Sequence, residues 1–188
     1  MSALTKHALD DALKEVLKRK SFNRVTIKDI TDTCGVNRMT FYYHFVDMRD
    51  LIEWSLTENI LKNFKMEHIY QIWKENLRDT FNAMIENRSY VYKIVHSKYY
   101  QIFEMYVYNI TSMIMLKIIN ERADGWDISE KDKVFITDFY SYALAGVVLK
   151  WIETEMTEDP QYMINHIEYL IEGDIDKAIM NITKQEKQ

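Results

Sequence analysis

The sequence predicts an all-α protein, with an N-terminal three-helix helix-turn-helix domain, a larger C-terminal helical domain and about nine helices in total. Three observations predict it. The 188 residues include one Pro and four Gly, whereas sheets joined by tight turns use both freely. Apolar residues recur at steps of three and four along most of the chain. A Gly-containing break near residue 35 separates two short helical segments.

Segment 4–20 is the first helix. Leu9, Ala12, Leu13, Val16 and Leu17 fall on one face, and Lys18, Arg19 and Lys20 crowd the last turn, where the helix dipole favours cations. Thr26 is placed to cap the second helix, with Asp29 three residues on as a weak acidic counterpart of a capping box. Gly35 is the expected left-handed cap of that helix. Asn37 caps the third, which runs to about Phe45, and Asp47 starts the fourth. Later helices are expected over 47–65, 69–87, 89–97, 99–122, 129–156 and 161–183. The domains are therefore 1–46, the helix-turn-helix part, and 47–188, the rest.

The chemistry concentrates in 36–45, VNRMTFYYHF. Val36, Phe41 and Phe45 have the spacing of an inward face. Asn37, Arg38, Met39, Thr40, Tyr42, Tyr43 and His44 remain outside. In a helix-turn-helix the third helix of such a domain enters the major groove. Arg38 has the fork geometry for guanine O6 and N7. Thr40 suits a phosphate or a thymine methyl. Tyr42, Tyr43 and His44 suit phosphate oxygens, which fix register without reading sequence. Thr26 leaves first-turn N–H groups directed at the backbone. The plainer alternative is a surface helix with two half-buried tyrosines.

The run 26–52, TIKDITDTCGVNRMTFYYHFVDMRDLI, resembles the DNA-binding domain of the TetR family of transcriptional regulators. The resemblance rests on Thr26, Ile30, Gly35, Val36, Thr40, the Phe41-Tyr42 pair and the His44-Phe45 pair at fixed spacing. It implies DNA-binding roles for Thr26, Asn37, Arg38, Thr40, Tyr42, Tyr43 and His44. Two positions depart from the family pattern. Met48 stands where a phosphate-binding Lys is common, so Arg49 is the substitute, and Thr31 stands where a small residue is common. The C-terminal part, rich in Tyr and Met, resembles the branch that includes activators of dihydroxyacetone-kinase operons.

The resemblance further implies a homodimer on a double-stranded, two-fold-symmetric operator, joined through the last two long helices. Phe139, Ala143, Gly146, Val147, Ile167, Leu170 and Ile171 are the candidate interface; the alternative is that this stripe is all core. Tyr99, Phe103, Tyr106 and Met113 are candidate lining for a small-molecule effector, or the body instead takes a partner protein. Dense Tyr and Met at helical spacing are equally the makings of plain core.

Charge agrees in direction. Residues 1–50 carry nine Lys/Arg against seven Asp/Glu, and 51–188 carry fifteen against twenty-two. DNA is drawn to the first part and repelled by the second. The single Cys34 excludes a disulfide framework and a multi-Cys metal site. There is no HExxH, Gly-rich phosphate loop or nucleophile elbow, which argues against an enzyme, and no cofactor is implied. Without a leader-like segment or an apolar run of about 18 residues, the expectation is a cytoplasmic protein with no membrane contact. The competing reading is a protein-interaction module or co-regulator with weakened DNA binding, for which Met48 leaves room.

Overall fold

The capping residues read from the sequence are where the helices begin. In the computed structural model, which describes residues 2–62 and 64–185, ten α-helices and one 3-10 turn follow one another, with no strand among the described residues. They are α1 (Ser2–Arg19), a 3-10 turn (Phe22–Arg24), α2 (Ile27–Cys34), α3 (Arg38–His44), α4 (Met48–Ile60) and α5 (Ile69–Glu86). Then come α6 (Arg88–Val95), α7 (Tyr100–Arg122), α8 (Glu130–Glu153), α9 (Pro160–Ile171) and α10 (Asp174–Gln185).

Three expected helices end differently. The fourth stops at Ile60 rather than 65, with Asn63 outside the described residues. Beyond it, the buried Asn76 side chain accepts the Lys65 N–H at 3.1 Å and donates to the Lys65 carbonyl at 2.7 Å. That amide satisfies both backbone groups of Lys65 without a helix. The 129–156 helix ends at Glu153, because Glu155 and Met156 take left-handed backbone, φ 57° and 50°. Met156 is buried there, and the Trp151 indole donates to the Glu158 carbonyl at 3.0 Å. The expected 161–183 helix is two, α9 and α10, because Gly173 at φ 76° interrupts it. Glycine takes that conformation at little cost. This division adds the tenth helix.

Two compact units result. The first comprises Met1–Lys62 and Ala83–Phe103. Its core holds Leu9, Leu13, Ile30, Phe41, Leu51, Ile52 and Leu56, all fully buried. The later segment is tied to the earlier one by polar bonds. Lys93 Nζ donates to the Leu17 carbonyl at the end of α1, 2.6 Å, and the Lys98 N–H donates to Asn23 Oδ1, 2.7 Å. The Phe22 ring lies 4.9 Å from Tyr99 and 6.4 Å from Tyr90. The buried Asp10 pairs with Lys14 at 2.8 Å and accepts from Asn59 Nδ2 at 3.0 Å, joining α1 to α4.

The second unit comprises Asn63–Asn82 and Glu104–Gln188. Ile69, Met115, Ile118, Ile119, Ile136, Ile175 and Ile179 form its main cluster, and Phe81 packs 4.7 Å from Trp151. Arg122 donates to both Asp176 carboxylate oxygens through one guanidinium edge, with Nε to Oδ1 at 2.6 Å, and lies 4.3 Å over the Tyr70 ring. This fixes α10 to α7 and α5. By length and composition α7 is apolar enough to cross a membrane, contrary to the expectation that no such run exists. Its Met115, Ile118 and Ile119 belong to the core cluster.

Candidate nucleic-acid interface

The reading head is built by three local caps. Thr26, in extended backbone, accepts the Asp29 N–H, and the Asp29 carboxylate accepts the Thr26 N–H at 3.0 Å and its hydroxyl at 2.9 Å. The weak counterpart expected of Asp29 is thus a complete capping box. Gly35 closes α2 at φ 75°, and its N–H and that of Val36 both donate to the Thr31 carbonyl. No neighbouring atom would meet a Cβ there, so the glycine is required by its backbone angle alone. Asn37 Oδ1 then accepts the Thr40 N–H at 2.9 Å and the Thr40 hydroxyl at 3.2 Å, opening α3.

Side-chain placement divides α3 along the expected line. Phe41 and Phe45 are buried, 5.8 Å apart, and Val36 is half-buried. Arg38, Asn37, Met39, Tyr42 and Tyr43 are exposed, and Thr40 and His44 half-buried. Tyr43 is 82% exposed and edge-on to His44 at 5.0 Å. A phenol and a methionine held this far out of the core have no folding reason to be there. Arg38 carries no carboxylate partner among the described residues and extends from the first residue of α3. Helix α3 is thus preorganised, with one guanidinium available at its N-terminal end.

Three details change the expected roles. The Thr26 N–H and hydroxyl are already committed to Asp29, so the amides available at the α2 terminus are those of Ile27 and Lys28. Asn37 and Thr40 spend hydrogen bonds on each other as a cap. Met48 is buried, so that position serves the core, and the adjacent Arg49 is exposed but paired with Glu53 at 2.8 Å. Glu53 raises the Arg49 guanidinium above its usual value by hydrogen bonding and charge. Sequence reasoning passed over Lys28, an exposed cation on the first turn of α2. Its place next to the Thr26 cap was the available signal.

The remaining candidates fall in several places. On α8, Phe139 is 64% exposed, and Ala143, Gly146 and Val147 are exposed beside it. Phe135 and Tyr142, at the same helical spacing, continue that face one turn away on either side. On α9, Leu170 is exposed together with Tyr162 and Tyr169, whereas Ile167 is buried at 5% and Ile171 packs against the core cluster. Ile167 therefore does not lie on the outward face assigned to it; α9 turns that edge inward. Of the four effector candidates, Tyr99 and Phe103 belong to the first unit and Tyr106 and Met113 to the second. Met113 lines an open cleft of about 700 Å³ with Met66, His68, Leu116 and Lys117, a set that includes none of the other three.

Comparison with known proteins decides the assignment. The sequence profile described as bacterial regulatory proteins, tetR family, matches residues 10–53, and that described as transcriptional regulator C-terminal region matches residues 71–173. Together they take in the reading head and more than half of the chain beyond it. The chain belongs to the TetR family. It is a DNA-binding transcriptional regulator, and the family is one of regulators rather than enzymes. The HTH-type dhaKLM operon transcriptional activator DhaS of Lactococcus lactis subsp. lactis (strain IL1403) is 20% identical over 148 residues, 78% of each chain. A solved structure, dihydroxyacetone kinase operon activator DhaS, shares the fold. Its TM-score is 0.69 at 19% identity, over 92% of this chain and 97% of that one. In this TetR regulator, the exposed polar face of α3 lies within the residues 10–53 that the family profile matches.

Proposed function

We propose that this TetR regulator acts as a cytoplasmic homodimer on a two-fold-symmetric operator, with residues 1–46 as reading head and 47–188 as the dimerisation and control part. One observation carries the dimer. Phe135, Phe139, Tyr142 and Val147 on α8, with Tyr169 and Leu170 on α9, stay exposed in the single chain. Large apolar side chains left exposed in this number mark an interaction surface, and a second copy supplies the matching one by symmetry. A pair of heads then reads two half-sites, about 34–36 Å apart or a multiple of that spacing.

In the head, Arg38 reads bases; Tyr42, Tyr43 and His44 grip phosphates; and Thr26, Asn37 and Thr40 set the helix ends that present them. Arg49 reaches phosphate only by leaving Glu53. Tyr99, Phe103, Tyr106 and Met113 are the residues we assign to control by a small molecule or a partner protein. The relatives named above are activators, so we infer that the controlled complex is the one that engages DNA productively.

Sedimentation equilibrium together with fluorescence anisotropy on DNA from upstream of the protein's own gene tests this. The expected result is a dimer at micromolar concentration that binds a palindromic site about one helical turn between half-site centres far more tightly than either half alone. A monomer, or equal affinity for the full site and one half, overturns it.

A further inference from the structure

We propose that Asp32 is an affinity-limiting residue of the DNA interface, one that holds Lys28 away from phosphate in the free protein. The starting observation is a charge balance. Residues 20–53, which contain the whole helix-turn-helix, carry five cationic side chains, Lys20, Arg24, Lys28, Arg38 and Arg49. They also carry five carboxylates, Asp29, Asp32, Asp47, Asp50 and Glu53. A surface that must meet one negative charge per 1.7 Å of duplex has no net positive charge of its own.

The pairing is also specific. Lys20 binds Asp29 at 2.6 Å, Lys28 binds Asp32, and Arg49 binds Glu53 at 2.8 Å. Arg24 and Arg38 are the two cations of this segment without a carboxylate partner among the described residues. Glu53 holds Arg49 on α4 in a pair of the same kind. Asp29 has a second role, because it closes the capping box. Asp32 has no such duty. Its side chain is 61% exposed, Lys28 is 69% exposed, and they sit one turn apart on the outer face of α2.

An exposed pair at this spacing adds little to helix stability. Its larger effect is on binding. Helix α2 is the one that crosses the sugar-phosphate backbone, and Lys28 is on its first turn. With Asp32 in place, Lys28 can reach a phosphate only by abandoning a carboxylate, which is then left facing the same polyanion. The neutralisation of that phosphate is incomplete, and fewer counterions leave the DNA. Asp32 thereby lowers the sequence-independent part of affinity, while Arg38, unpaired, keeps the sequence-dependent part. The ratio of operator binding to random binding rises as a result. Excess phosphate attraction is what a regulator searching a genome must limit.

The test is a double-mutant cycle read by fluorescence anisotropy on a random-sequence 25-base-pair duplex across a salt series. Asp32→Asn is expected to tighten binding roughly two- to fivefold near 0.1 M salt, the scale of one exposed ion pair. It should also steepen the slope of log K against log salt by up to about 0.9, one phosphate's worth. In a Lys28→Gln background the same change should give less than half of that gain. Thermal melting of each variant checks that α2 is intact. Equal tightening in both backgrounds would make Asp32 a generic negative charge and overturn the proposal. Unchanged or weaker binding of Asp32→Asn with an unchanged melt overturns it as well.

Discussion

The two compact units present surfaces of opposite chemistry. In the first, the apolar side chains of the reading head are withdrawn, with Phe41 and Phe45 buried, and what faces outward is Arg38, Tyr43 and a ring of paired charges. In the second, partly exposed ion pairs cross-link the helices, as Arg122 does with Asp176 and Lys74 with Glu168. What faces outward on α8 and α9 is Phe139, Tyr142, Tyr169 and Leu170. A polar, preorganised surface suits a hydrated polyanion, which is bound through phosphates and read through hydrogen bonds. An apolar one suits a protein face that excludes water. One chain thus carries two recognition chemistries, and each kind of substitution should damage one and spare the other.

The largest effect expected is on the head's own stability. Phe41→Ala empties a fully buried site, and should cost roughly 3–5 kcal/mol in a urea titration. Loss of DNA binding with no change in the urea midpoint would mean that Phe41 faces DNA rather than core. Next in size is the second unit. Phe139→Asp puts a carboxylate in the exposed apolar face, and should weaken dimerisation by about 2 kcal/mol or more while sparing the head. Sedimentation equilibrium measures it, and an unshifted monomer–dimer constant would remove α8 from the interface.

Within the head, Arg38→Ala should cost about 1–3 kcal/mol of discrimination between operator and single-base variants. Tyr42→Phe should instead weaken all sequences alike, by about 1 kcal/mol, the worth of one hydrogen bond. Competition binding on a panel of mismatched sites separates the two. If Arg38→Ala lowered every affinity equally, its role would be a phosphate contact.

The smallest effect concerns the α2 cap. Lys20 first, and then Thr26, hold the Asp29 carboxyl down at about 2. A carboxylate depressed in the folded state adds stability above its ordinary value, and that stability is lost as pH falls through the folded value. The stability difference between the wild type and Asp29→Ala should therefore be constant above about pH 4 and shrink toward pH 2. Urea midpoints along that series check it, and a difference independent of pH would show that the carboxylate charge is not what holds the cap.

Legibility from sequence followed interaction range. Thr26, Gly35, Asn37 and Asp47 were readable as caps because each acts within four residues of itself. The burial of Phe41 and the exposure of Tyr43 followed from helical period over a single short segment. Period failed where a helix has more than one apolar neighbour. Ile167 and Leu170 both lie on the apolar stripe of α9, yet one is buried and the other 70% exposed. A stripe wider than one packing face does not say which edge meets the core. The split at Gly173 was hidden because Ile171 and Ile175 keep the period running across it.

The sequence by itself determined the all-α class, the helix-turn-helix and the family, since all three rest on local caps and a motif of fixed spacing. Only the tertiary structure decided three further matters. It buried Met48, giving that position to the core. It drew Ala83–Phe103 into the same compact unit as the head through Lys93, Lys98 and Tyr99. And it brought Lys20, just past α1, onto Asp29 of α2. Each depends on which side chains come within a few ångströms after the helices pack, and neither period nor charge count specifies that distance.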